Sequence, residues 1–468
     1  MIQFVLAAPA SGSGKTTLTC ALLAALKKRG FCPCAFKSGP DYIDPMFHRS
    51  ALRVDSHNLD LFFSAPDTVR ALYAQYAAGH DAALCEGAMG FYDGLNCTTV
   101  ASAWALADTL GLPVLLVVQP KGASVTLAAQ INGLKNFRTP SHLAGLLLND
   151  CSPRLHQLLA PLLERETGLP VLGYLPHLPD AVVESRHLGL KTAEEVSGLQ
   201  EKIERLAEAV SATLDWERLL ALTSLPAPVS PLPDFLTPAS PTVRIAVAKD
   251  EAFCFTYAET LDALRAAGAE LVFFSPLHDT ALPEGIGGVY LPGGYPELHA
   301  KALSENEPLR CALCAAIQRG LPTAAECGGF LYLGQSLEDA DGTSYPMAGV
   351  LPGQGFRVGK LVRFGYAALT AQADSMLFRR GEALPVHEFH HWDTTANGDA
   401  FTARKADGRS WPCGFANEHF YAGFPHLYWA GTSLPRRPAP PPTPTGPASQ
   451  NPWAASVRWK RCWKKPPR

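Results

Sequence analysis

The ten residues Ala8–Thr17, reading APASGSGKTT, constrain the fold of this chain more than any other stretch. An apolar run, Ile2–Ala8, stands before them and a helical pattern, Thr16–Arg29, follows. A strand that ends in a glycine-rich loop and opens into a helix is built to hold an anion. Gly12 and Gly14 let the backbone close with its N–H groups inward, and the helix adds its positive end. In such a loop Gly12, Ser13, Gly14, Lys15, Thr16 and Thr17 bind ATP, with Lys15 on the terminal phosphates and Thr16 on Mg²⁺. Pro9 stands where the usual GxxxxGK[ST] pattern has its first glycine.

The remaining apolar runs agree with a strand–loop–helix start. Cys34–Lys37, Ala82–Glu86, Val114–Gln119, Leu143–Asn149 and Val171–Leu175 are short, continuous and separated by helical stretches. That rhythm predicts an α/β fold with a parallel sheet covered on both faces. Residues 224–241, SLPAPVSPLPDFLTPASP, break it, because so much proline forms neither helix nor central strand. The rhythm then restarts with strands at Arg244–Ala248, Leu271–Phe274 and Val289–Leu291 and a helix at Tyr257–Ala267. Four segments are expected: a P-loop domain 1–223, a linker 224–241, a second α/β domain 242–431, and a tail 432–468. The tail is proline-rich, then basic with Trp453, Trp459 and Trp463, and disorder is expected there.

With 468 residues, more than one core is needed. A net charge of -3 gives no ground for nucleic acid or an anionic membrane as partner. The 12 cysteines are scattered, many inside apolar runs, which suits reduced thiols rather than a disulfide framework. Cys32/Cys34 and Cys311/Cys314 lack a second pair at zinc spacing and read as packing. The N-terminal run reads as a strand rather than a leader, no run is long enough to span a bilayer, and a cytoplasmic location is expected.

Two segments follow strand ends, where parallel sheets place their ligands: KSGPDYIDP (37–45) and EGAMGFYDG (86–94). Lys37 can neutralise a phosphate or a carboxylate, with Asp41 and Tyr42 beside it on the substrate side. Asp44 and Glu86, with Thr16, offer hard oxygen ligands for Mg²⁺. In the second domain, Cys327 in PTAAECGGF lies between an extended segment and a helical one, as in a nucleophile elbow. A helix N-terminus behind it predicts a lowered thiol pKa. Gly328, and Gly294 in LPGGYPE, can present N–H groups to an oxyanion. His426 is the candidate base.

GPDYIDP and EGAMGFYDG, taken with APASGSGKTT, resemble the synthetase domain of the cobyrinic acid a,c-diamide synthase family, itself related to dethiobiotin synthetase. PGGYPEL, ECGGF and the late histidine resemble the class I glutamine amidotransferase domain of the cobyrinic and cobyric acid synthase type. The resemblance implies a carbon–nitrogen ligase. ATP would activate a substrate carboxylate as an acyl phosphate, and ammonia released from glutamine at Cys327 and His426 would displace the phosphate. It also implies Mg²⁺, ATP and L-glutamine as requirements and a corrinoid or related tetrapyrrole as substrate. A homodimer is compatible with the sequence.

Many class I domains have Glu two residues after the histidine, where Tyr428 stands here, so the third member of that site is open. His387–His391, HEFHH, lacks the HExxH spacing of a zinc helix, and the resemblance, whose family carries a similar segment, implies a structural or substrate-proximal role for it. Arg357–Gly365 could meet substrate carboxylates or form a solvated basic face. Hydrogenobyrinic acid and nickel-sirohydrochlorin are alternative substrates. A ParA/MinD-like ATPase switch is the alternative of another class, but its extra lysine is replaced by Ala10 and the glutaminase-like domain has no part in it. An inactive homologue is the remaining alternative.

Overall fold

A computed structural model describes residues 1–181 and 198–432, so the basic tail beyond 432 lies outside the described residues. Two compact units emerge. The first comprises Met1–Ser240, Phe255–Gly268 and 428–432; the second comprises Pro241–Cys254 and Ala269–Leu427.

Seven strands form the sheet of the first unit: β1 (Ile2–Ala7), β2 (Pro33–Ser38), β3 (Asp55–Leu59), β4 (Ala82–Glu86), β5 (Val114–Val118), β6 (Leu143–Asn149) and β7 (Val171–Leu175). Their order is β3-β2-β4-β1-β5-β6-β7, and every neighbouring pair is parallel. β1, β2, β4 and β5 are buried along their whole length, which is why the sequence shows continuous rather than alternating apolar runs. Helix α1 (Lys15–Lys28) buries Leu18, Leu22, Leu23 and Leu26 in the same core. β3, with the sequence DSHNL, was not anticipated, since its polar residues carry no strand signal. It occupies the edge beside β2.

The start of the proline-rich stretch is tied to β1. Leu225 donates its N–H to Met1 O at 2.9 Å, and Gln3 Nε2 donates to Pro226 O at 2.7 Å. The expected second domain began at 242 without interruption, whereas the helix Ala258–Ala266 groups with the first unit. The reason is a buried carboxylate. Glu259 is fully buried, and its Oε1 accepts the N–H of Asn58 at 2.9 Å and lies 2.9 Å from His57 Nδ1.

The second unit has two sheets. The first contains β8 (Val243–Ala248), β9 (Ala269–Phe274), β10 (Gly288–Leu291) and β11 (Thr323–Glu326). The second contains β12 (Ser336–Glu338), β13 (Ser344–Pro346), β14 (Gln354–Ala371), β15 (Ala383–Thr394), β16 (Phe401–Arg404) and β17 (Ser410–Cys413). The chain then adds β18 (Phe415–Asn417) and β19 (Phe420–Gly423) to the first sheet and β20 (His426–Leu427) to the second. The first sheet runs β18-β19-β11-β10-β8-β9, parallel except for β18. The second sheet, built on the long antiparallel pair β14 and β15, was not foreseen.

Candidate functional sites

The loop after β1 is shaped by its glycines. Gly12 and Gly14 have φ of 77° and 88°, a region that only glycine adopts without strain. A Cβ on Gly14 would also lie 2.0 Å from Asn149 Nδ2. Asn149, at the end of β6, donates that amide to Ser13 O at 3.0 Å and so braces the loop. Its only sequence signal was a polar residue ending an apolar run. Pro9, in place of the usual glycine, fits because its carbonyl faces the EGAMG loop. Phe91 donates its N–H to Ala8 O at 2.8 Å, and a Cβ on Gly90 would come within 2.6 Å of Pro9 O.

Lys15 lies across this loop, donating to Ala10 O at 3.3 Å and to Met89 O. Burial lowers its pKa to about 8, and Lys37 pushes the same way while Glu86 opposes. Glu86, fully buried at the end of β4, joins the two strand ends. Its Oε1 accepts from Thr16 Oγ1 at 2.7 Å and from Lys37 Nζ at 2.7 Å. Lys37 also donates to Asp44 and lies 3.8 Å from Asp41. Burial works against its charge, yet the carboxylates of Asp44, Glu86 and Asp41 hold its pKa well above the ordinary lysine value. Asp44 is held low despite its own burial, because Lys37 lies against it. Burial and the neighbouring Asp44 push Asp41 up to about 6.

The predicted Thr16, Lys37, Asp41, Asp44 and Glu86 are therefore one cluster. Asn58 of β3 was missed, yet its Nδ2 donates to Gly39 O at 2.9 Å and Asp41 O at 2.7 Å, fixing the GPDY turn. Tyr42 stacks on Phe255 and packs at a tilt against Tyr257, with ring centroids 5.3 and 4.3 Å apart. Glu86 Oε2 is buried without a hydrogen-bond partner. With the Thr16 hydroxyl it supplies hard oxygen donors that fit a magnesium ion. Among the described residues no group of three or more His, Cys, Asp or Glu is arranged to hold a metal alone.

In the second unit, Cys327 follows β11 at φ 47° and ψ −102°, a turn that sets the thiol apart from the strand. Its N–H donates to Gly423 O at 2.8 Å. Gly294 and Gly328 are adjacent: a Cβ on Gly328 would stand 3.0 Å from the Gly294 nitrogen. A Cβ on Gly294 would come within 2.0 Å of Ala252 O, so the backbone there admits glycine alone. His426 is 1% exposed and sits on β20, opposite His387 of β15. The Cys327 sulfur is 4.0 Å from Phe389 O on that same β15. The thiol and the histidine thus both lie against β15, the strand that carries the HEFHH motif.

The expected lowering of the thiol pKa is corrected. Burial pushes Cys327 well above the ordinary thiol value, helped by Glu297 and Glu388, while the Gly328 N–H works the other way. The helix behind it, α2 (Gly328–Tyr332), is a single short turn, and its end cannot offset desolvation. The basic run 357–365 is also not merely a solvated face. Arg363 lies 3.4 Å from Glu388 and 2.5 Å from Asp393. Every described cysteine is a free thiol.

Comparison with known proteins bears on both sites. Residues 4–188 match the CobQ/CobB/MinD/ParA nucleotide binding domain, and residues 244–432 match the CobB/CobQ-like glutamine amidotransferase domain. Cobyrinate a,c-diamide synthase of Salmonella typhimurium is 40% identical over 91% of this chain and 95% of its own length. The chain belongs to the cobyrinate a,c-diamide synthase family. Other members of the family are similarly close. That of Dehalococcoides mccartyi strain CBDB1 is 42% identical over 83% of this chain and 85% of its own, and that of Caldanaerobacter subterraneus is 37% identical over 91% and 94%. As a member, the chain is an amidating ligase that joins a nucleotide-binding domain to a glutamine amidotransferase domain. Among the described residues no helix is long and apolar enough to cross a membrane.

Proposed function

We propose that this protein amidates the a and c acetate carboxylates of cobyrinic acid with ATP and glutamine. The observation that carries the reading is Glu86, which ties Thr16 of the phosphate loop to Lys37 of the substrate loop through one oxygen. Nucleotide and carboxylate would then meet over one charge cluster. Gly12 to Thr17 cradle the phosphates, Lys15 turns from Ala10 O and Met89 O to the terminal phosphate, and Lys37 offsets negative charge as the acceptor approaches. Asp41 and Tyr42 border the acceptor. Thr16, Glu86 and Asp44 are the residues that would hold Mg²⁺, which when bound screens the phosphate charge.

The carboxylate oxygen attacks the γ-phosphorus and ADP leaves. Ammonia then attacks the acyl carbon, the carbon–oxygen bond to phosphate breaks, and an amide, phosphate and a proton result. In the second unit Cys327 attacks the side-chain amide of glutamine, with Gly294 and Gly328 N–H groups receiving the oxyanion. His426 takes the thiol proton and passes it to the departing nitrogen. Water hydrolyses the thioester to glutamate.

The test is to supply cobyrinic acid, Mg²⁺, ATP and glutamine and follow the corrinoid by mass spectrometry. Two successive carboxyl-to-amide conversions are expected. Glutamine hydrolysis without corrinoid conversion would refute the substrate and direct the search to hydrogenobyrinic acid or nickel-sirohydrochlorin.

A further inference from the structure

We propose that Glu326, the residue immediately before the nucleophile, is the positioning carboxylate of His426. The proposal rests on the Cys327–His426 reading above and supplies the third member that Tyr428 cannot. Glu326 Oε2 lies 3.7 Å from His426 Nδ1, and both side chains are 1% exposed. The same oxygen accepts the hydroxyl of Tyr290 at 3.2 Å, which fixes the carboxylate from β10. Its backbone is equally fixed. Glu326 ends β11 in register with Gly423 of β19, and Gly423 O accepts the N–H of Cys327. His426 follows three residues after Gly423 and is held by its pairing with His387. Nucleophile, carboxylate and histidine thus share one short frame.

Of the two other carboxylates acting on the thiol, burial raises Glu297 to about 7 and Glu388 is already taken. Glu388 Oε2 is 3.1 Å from His390 Nε2 and 3.4 Å from Arg363 Nε. Tyr428, at the sequence position of the usual glutamate, groups with the first unit, stacked on Phe63 with its hydroxyl 3.4 Å from Asn58 O. Chemically, a carboxylate at Nδ1 leaves Nε2 as the proton acceptor and favours the imidazolium that forms when the thiol gives up its proton. The separation exceeds a hydrogen bond and needs only a small closing movement, as free enzymes commonly show before substrate tightens the site. The titratable groups around the pair and the thiol are Tyr290 of β10, Cys327, Glu297, Tyr421 of β19, and His387 and Glu388 of β15. Burial holds His387 down to about 3, so it stays neutral across the working range.

The experiment measures glutaminase kcat, KM and pH profile for Glu326→Gln and Glu326→Asp in the full chain, with Cys327→Ala and Tyr290→Phe alongside. Ammonium-dependent amidation certifies that each variant is folded. For Glu326→Gln the expected result is a kcat loss of about 10²- to 10⁴-fold. KM should be little changed, the acid limb of the profile should move to lower pH, and the ammonium-dependent rate should be intact. Glu326→Asp should recover part of the loss, and Tyr290→Phe should lose less. Glutaminase activity of Glu326→Gln within about threefold of wild type, or a loss with the acid limb unmoved, overturns the proposal. If Cys327→Ala keeps its glutaminase activity, the dyad reading itself falls. If Cys327→Ala loses that activity while Glu326→Gln keeps it, only the role of Glu326 falls.

Discussion

The two sites treat burial in opposite ways. At the phosphate loop, Lys37 and Asp44 keep their charge because they face one another, with Glu86 and Asp41 beside Lys37, although burial still lowers Lys15 to about 8 and raises Asp41 to about 6. At the thiol site, burial drives groups neutral. Cys327 is pushed up, Glu297 is raised to about 7, and His387 is lowered to about 3. The difference follows the chemistry proposed for each. A site that gathers two anions needs fixed charge in advance. A thiol that must not react until glutamine arrives is safer neutral, and a proton move to His426 then creates the nucleophile on demand.

The contrast is tested most severely at Lys37. Replacing it with Met leaves Asp44 and Glu86 buried beside each other without their cation. Breaking such a pair costs roughly 3–5 kcal/mol. Thermal denaturation should show a large loss of stability, and amide formation should vanish with glutamine or ammonium. A variant as stable as wild type would mean that these charges do not hold one another.

A smaller effect sharpens the other side. A raised thiol pKa means little thiolate near neutral pH. Iodoacetamide should therefore label Cys327 at about pH 7.5 at least tenfold more slowly than a free cysteine. Labelling should climb steeply only at alkaline pH, read by peptide mass spectrometry. Fast labelling at neutral pH would restore the thiolate that the sequence analysis expected.

The smallest effect concerns Lys15. With its pKa lowered to about 8 from the ordinary lysine value of 10.5, the free enzyme carries a neutral amine above that pH. Bound phosphate restores the charge, so ATP binding should take up a proton between these two values and not below pH 7 or so. Titration calorimetry in buffers of different ionisation enthalpy measures this uptake. No uptake at pH 9 would show that Lys15 is charged before ATP arrives.

Much of this arrangement was legible because local chemistry dictated it. The loop 8–17, the apolar strands and the strand-end motifs each carry their reason in their own residues. The parts that escaped depend on partners far along the chain. β3 is polar because the Asn58 side chain serves the turn at Gly39–Asp41 and the His57 side chain meets the buried Glu259, some two hundred residues on. β14 reads as a basic surface, and only its pairing with β15 turns Arg363 toward Glu388. Asn149 and Glu326 are single polar residues ending apolar strands, a signal that gains meaning once the sheet order is known. The thiol pKa was misjudged because the sequence shows a helix start but neither its length nor the burial around it.

In the proposed function, nitrogen release and carboxylate activation are separate chemistries on separate residues. The most direct measurement of that separation is the amidation of cobyrinic acid by Cys327→Ala with ATP and either glutamine or ammonium. No amide is expected from glutamine, and a near-wild-type rate is expected from ammonium. Loss of both, in a protein that still binds ATP, or retention of the glutamine-dependent rate, would contradict that separation.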